Sequence, residues 1–183
     1  DAEETTKGVF DAFSRALEGA QKVEADVLQA STETFGVPLD MELFKNWLER
    51  YREDPAKCTG GQWVDAGFAK DWFEGNHDRE LSQTHLPITL SALRLGELAL
   101  VFHPAELYSY YGLAIRRDSP FADTIVVGYT DGIIGYLPDP NAYTAGEYAA
   151  MTVPKILDFP PFVPTAAREM TAATVALLNK VAT

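Results

Sequence analysis

Residues 86–104 read LPITLSALRLGELALVFHP, and this stretch decides the fold class. Two runs rich in Leu, Ile, Val and Thr flank Leu95-Gly96-Glu97, the pattern of two strands closed by a tight turn. Upstream the periodicity is helical. Val9, Phe13, Ala16, Ala20, Val23, Val27 and Ala30 recur at three- and four-residue spacing, which predicts one long amphipathic helix stopped by Gly36 and Pro38. A second helix, DMELFKNWLERYRED (40–54), takes Asp40 as its N-cap and ends before Pro55, with Leu43, Trp47, Leu48 and Tyr51 on one face. CTGGQW (58–63) reads as a turn, WVDAGFAKDWF (63–73) as a shorter helix, and residues 74–85 as a polar loop.

Downstream the signals alternate. PAELYSYYGLAIRR (104–117) predicts a helix opening on Pro104, where a missing N–H costs nothing. DTIVVGYTDG (123–132) reads as a strand buried on both faces, and IIGYLP (133–138) as a short strand. A helical turn in NAYTAGEYAA (141–150), an extended FPPFVP (159–164) and an amphipathic helix over 165–182 complete the chain. The expected class is α/β (α+β): a helical region over 1–83 packed on a small mixed β-sheet with helices over 84–183.

A formal net charge of -12 with no cluster of Lys and Arg argues against nucleic acid or an anionic membrane as partner, since polyanions require clustered cations. Cys58 is the single cysteine, which excludes an internal disulfide framework and a thiolate metal cluster. No apolar run reaches the length of a membrane span. The chain starts at Asp1 rather than Met, as a segment of a longer or processed polypeptide would.

Motifs read from chemistry alone give no complete active site. His77 and His85 fall in the polar loop without metal-ligand spacing, and no serine occupies a G-x-S-x-G elbow. Gly128, Gly132 and Gly135 lack the spacing of a phosphate loop. His103 ends a strand, a place where ligands gather in open α/β sheets, although a lone histidine there also serves packing. Glu106, in the first turn of the predicted helix, could satisfy orphan N–H groups and the positive dipole end. Asp131-Gly132 is a common turn pair, and Tyr136 reads as an aromatic packing on a strand.

Four motifs in fixed order change that reading: Pro104-Ala105-Glu106, Gly128-Tyr129-Thr130-Asp131-Gly132, Gly135-Tyr136-Leu137-Pro138 and Gly146-Glu147-Tyr148. Over residues 86–150 this order resembles the neutral (non-lysosomal) ceramidase family. The resemblance implies a layered α/β fold of which this chain is the C-terminal part, and secretion or a periplasmic location. It also implies lipid metabolism and zinc-dependent hydrolysis of an N-acyl amide. Of the family's zinc ligands, the glutamate and tyrosine map onto Glu106 and Tyr136, with Asp131 and His103 as supporting residues around them. The family's two histidine ligands and its proposed catalytic serine have no counterpart here, so an upstream segment or second chain would supply the rest and the isolated chain would be inactive. Ala105 stands where the family has Gly, Asp131 where it has Asn, and Glu147 where it has Gly. The alternative is a non-catalytic α/β binding or structural module derived from the same fold.

Overall fold

The structure is a computed structural model describing residues 2–80 and 82–183. Its frame is a four-stranded sheet of β1 (Leu28–Pro38), β2 (His85–Leu95), β3 (Leu98–Phe102) and β5 (Asp123–Val127), in the order β1-β2-β3-β5. β1–β2 and β2–β3 are antiparallel and β3–β5 is parallel, so the sheet is mixed as the sequence predicts. The β2–β3 hairpin turns at Gly96, whose φ of 57° and close approach to the Glu24 carbonyl leave no room for a Cβ.

β1 corrects the sequence reading. The predicted long helix stops at the end of α1 (Ala2–Glu18), and Leu28–Pro38 is a strand instead. The apolar residues Val23, Val27 and Ala30 keep a helical interval by coincidence. Ser31-Thr32-Glu33-Thr34-Phe35 has the alternation of a half-buried strand, and β2 offers it an antiparallel ladder from Leu28↔Leu95 to Pro38↔His85. Tertiary pairing overrides local propensity there.

Alternation along the strands separates two faces. Val37, Ile88, Leu90, Ala92, Ala99 and Val101 point to one side, where α8 (Ala166–Ala182) and α4 (Ser109–Asp118) bury them. α8 contributes Met170, Leu177, Leu178 and Val181 to this core, and α4 contributes Tyr111 and Ile115. On the other side the register aligns Leu28, Leu95 and Leu98, and next to them Ala30, Leu93, Leu100 and Ile125. That face stays half-buried to exposed, with Leu28 at 73% and Ile125 at 48%. β5 is therefore an edge strand open on one face, not the doubly buried strand its apolar run predicts.

A second cluster forms between α2 (Met41–Glu53) and α3 (Ala66–Asn76), where Phe44, Trp47, Trp63, Trp72 and Cys58 are buried. The Asp40 carboxylate accepts from Leu43 N–H at 2.8 Å as the predicted N-cap, and Asp65 accepts from Phe68 N–H at 2.9 Å. Phe44, Trp47 and Trp63 each meet Trp72 edge to face. The Lys155 ammonium of α7 (Val153–Ile156) enters this cluster 3.5 Å from the Trp47 ring centroid and 4.7 Å from that of Trp63, and donates to the Met151 carbonyl. Burial, aided by Arg50 and opposed by Cys58, lowers its pKa to about 7, while the indole faces offset part of the cost of the charged form.

This gives a pH dependence with a defined sign. Between about 7 and the ordinary lysine value, the unfolded chain holds a proton on Lys155 that the folded chain does not. Stability from this group therefore rises with pH across that window, by at most about 1.4 kcal/mol per pH unit, and is lost as pH falls toward 7. Urea unfolding of Lys155→Met against the parent between pH 7 and 9.5 should show a flatter profile in the variant. Parallel profiles would mean that Lys155 stays charged in the fold.

Candidate functional site

The site is built where the chain after β3 runs parallel to the chain after β5. Five backbone bonds join the two: His103 N–H to Val127, Thr130 N–H to the His103 carbonyl at 3.0 Å, Ile134 N–H to Pro104, Glu106 N–H to Gly135 at 2.8 Å, and Tyr108 N–H to Leu137. Within this ladder β4 (Glu106–Leu107) and β6 (Tyr136–Leu137) form a two-stranded parallel sheet in which Glu106 is the register partner of Tyr136. Glu106 thus lies in a strand, not in the first turn of a helix. α4 begins only at Ser109, and the Glu106 N–H that an N-terminal turn would orphan is taken by the Gly135 carbonyl. The helix-capping account of Glu106 is removed with it.

Two residues 30 positions apart in sequence are thereby neighbours on one pleat. The Glu106 carboxylate is the main cause pushing the Tyr136 phenol up to about 12, by hydrogen bonding and by its negative charge. It raises the Tyr129 phenol in the same way. Tyr108 stands edge to face with Tyr136 at 6.2 Å between centroids and donates to the Glu147 carboxylate at 3.2 Å. Glu106, Tyr108, Tyr129, Tyr136 and His103 line one cavity of about 420 Å³.

The connecting loop adopts left-handed backbone at Tyr129 (φ 57°), Asp131 (φ 59°) and Gly135 (φ 76°). For tyrosine and aspartate that conformation is uncommon, and the ladder to residues 103–108 holds it. At Gly135 a Cβ would sit 2.6 Å from Val153 Cγ1, so this glycine is required for the close packing of β6 on α7. Asp131 occupies the turn and does not line the cavity, whereas His103, read as a supporting residue, does. Tyr129 was not singled out by its sequence context as facing Glu106; only its place in a Gly-Tyr-x-Asp-Gly run signalled it. His77 caps α3 and stacks on Phe73, and His85 opens β2 on the exposed side, so neither approaches the site.

Chemically the arrangement offers two oxygen donors side by side, one of them a carboxylate. Among the described residues, no group of three or more His, Cys, Asp or Glu side chains could hold a metal ion. A divalent ion suits the Glu106–Tyr136 pair, because it would replace the shared proton between carboxylate and phenol, but it needs further ligands. Titrating the tyrosines of the parent chain and of Glu106→Gln by ultraviolet difference spectroscopy should show the Tyr136 phenol moving from about 12 toward the ordinary value of about 10 in the variant, with the Tyr129 phenol falling as well. An unchanged titration would separate Tyr136 from Glu106.

No family model and no curated protein matches the chain. Among solved structures it is similar to the neutral ceramidase from Pseudomonas aeruginosa, with a TM-score of 0.51 and 17% identity, over 91% of this chain and 30% of that one. A structure of a ceramidase complexed with C2 aligns at a TM-score of 0.41 and 24% identity, over 52% of this chain and 14% of that one. The mixed α/β fold is thus similar to that of a ceramidase, and the chain spans less than a third of that neighbour's length.

Proposed function

We propose that this chain forms part of a zinc-dependent N-acyl amide hydrolase of ceramidase type, contributing Glu106 and Tyr136 as metal ligands. The observation that carries the reading is the Glu106↔Tyr136 register pair at the wall of a cavity, with the carboxylate already dominating the phenol's acidity. The four-motif resemblance and the ceramidase-like fold supply the reaction class.

The remaining ligands come from an upstream segment or a second chain. The sheet supports this: one face is buried under α8 and α4, while the other presents Leu28, Leu93, Leu95, Leu98, Leu100 and Ile125 without a covering helix among the described residues. A half-open apolar sheet face of this kind supports the reading that further polypeptide packs there. Among the described residues no helix is long and apolar enough to cross a membrane, and the acidic chain offers no cluster of Lys and Arg for nucleic acid. A secreted or periplasmic setting belongs to the same proposal.

Zinc, when bound, supplies Lewis acidity that polarises an amide carbonyl and acidifies water. The chain's own contribution is orientation. Glu106 and Tyr136 are fixed by the strand pair, Tyr108 and Tyr129 flank them, and Leu107 and Leu137 anchor the pair from the other pleat. Loss of the Glu106 charge removes the anionic ligand, and loss of the Tyr136 hydroxyl removes the second oxygen.

In the hydrolase assembled with its histidine-bearing segment, Glu106→Ala and Tyr136→Phe should each lower bound zinc and amidase activity by at least about tenfold. Zinc retained in full by Glu106→Ala would refute the assignment. It would favour a non-catalytic module instead, in keeping with the lack of any three-ligand cluster among the described residues.

A further inference from the structure

The sheet ends at β5, and the outer edge of that strand is unused. The Val127 carbonyl accepts from the His103 N–H, so it faces β3. Direction alternates along a strand, so Ile125 also turns its backbone groups to β3, while Thr124 and Val126 turn theirs outward. Among the described residues, neither Thr124 nor Val126 has a backbone partner on that outer side. Proteins blunt such edges with lysine, proline or a bulge, and Asp123–Val127 carries none of these.

A groove of about 950 Å³ lies along this edge. Thr124 and Val126 line it together with Ser109, Gly112 and Leu113 of α4 and with Leu98 of β3. Leu113 is 61% exposed, and a Cβ at Gly112 would meet nothing within 4 Å, so the α4 flank is apolar and open. On the strand flank Ile125 is likewise open. Ser109, Gly112 and Val126 also line the cavity of Glu106 and Tyr136, so the groove adjoins the site.

The chemistry of the edge restricts what fills it. N–H and C=O groups repeating along a strand are matched by another backbone, whereas an alkyl chain would leave them unpaired. A second copy is a poor match, because each chain carries a formal charge of -12 and the two would repel. The flanks suit a strand apolar on both faces, with one set of side chains over Leu113 and the other over Ile125. We propose that the outer edge of β5 is a strand-addition site: an extended apolar stretch of the polypeptide that completes the metal site pairs with Thr124 and Val126 beside α4. One end of that strand then lies at the Glu106–Tyr136 cavity, where its adjoining residues can supply ligands. The owner of the strand rests on the hydrolase reading above; the acceptor edge does not.

Amide hydrogen exchange of the ¹⁵N-labelled chain tests this residue by residue. In the chain alone, Thr124 and Val126 should exchange without protection while β3 keeps Ile125 and Val127 protected. A capped, alternating Val-Ile peptide with a lysine at each end should slow Thr124 and Val126 saturably and leave Ile125 unchanged. In the hydrolase assembled with its histidine-bearing segment, the same two amides should slow by at least about 10²-fold. Val126→Pro removes an outward N–H but no bond to β3, so the chain should fold yet assemble at least about tenfold more weakly than Val126→Ala. Protection of Thr124 and Val126 in the dilute chain, no slowing by the peptide, or equal assembly of the two variants would each overturn the proposal. Protection that grows with the concentration of the chain alone would make the occupant a second copy and overturn it too. Edge protection on assembly alongside undiminished zinc in Glu106→Ala would sink the metal reading and leave this one intact; zinc loss without edge protection would do the reverse.

Discussion

The parallel pairing of residues 103–108 with residues 127–137 is the constraint on which the site depends. Neither segment is regular enough to be a long strand, and the second carries residues whose backbone would be strained in isolation. Five interstrand bonds hold them, and the bond from Glu106 N–H to the Gly135 carbonyl sets the register that makes Tyr136 the neighbour of Glu106. A slip of one residue would leave the two side chains on opposite faces. Left-handed backbone at Tyr129 and Asp131 is tolerated because the flanking ladder over-determines it.

That ladder is itself held from behind. Leu137 and Ile134 belong to the main core with α4 and α8, so β6 is anchored through its apolar residues while Tyr136 points to the cavity. Gly135 brings the same segment against Val153 and Leu157, next to Lys155. The aromatic cluster around Trp47, Trp63 and Trp72 therefore backs the site indirectly: α7 carries Lys155 into the tryptophans and Val153 against Gly135. Burying a lysine without a carboxylate is costly, and ring faces and one carbonyl are what this cluster provides in return.

The two faces of the sheet differ in a way that bears on assembly. One is a finished core, rich in fully buried Val, Ile, Leu and Ala. The other carries leucines of comparable number that remain partly open, and the site cavity opens where β3 and β5 end. The half-open sheet face and the Glu106–Tyr136 cavity therefore lie on the same molecule, the first along the strands and the second at their ends.

Much of this was legible in the sequence. The β2–β3 hairpin, the Asp40-capped α2, α8 and the short strand at Tyr136 each follow from local chemistry: turn glycine, capping carboxylate, helical period, strand run. The pairing of Glu106 with Tyr136 was reachable only through the order of four motifs, since no local rule connects residues so far apart. Tertiary structure alone decided the rest. Leu28–Pro38 is a strand because β2 presents a ladder to it, although its upstream apolar spacing suits a helix. Glu106 lies in β4 because Gly135 takes its N–H, although Pro104 ahead of it suits a helix start. In both places a backbone hydrogen bond to a distant segment outweighed a local preference worth a few tenths of a kcal/mol per residue.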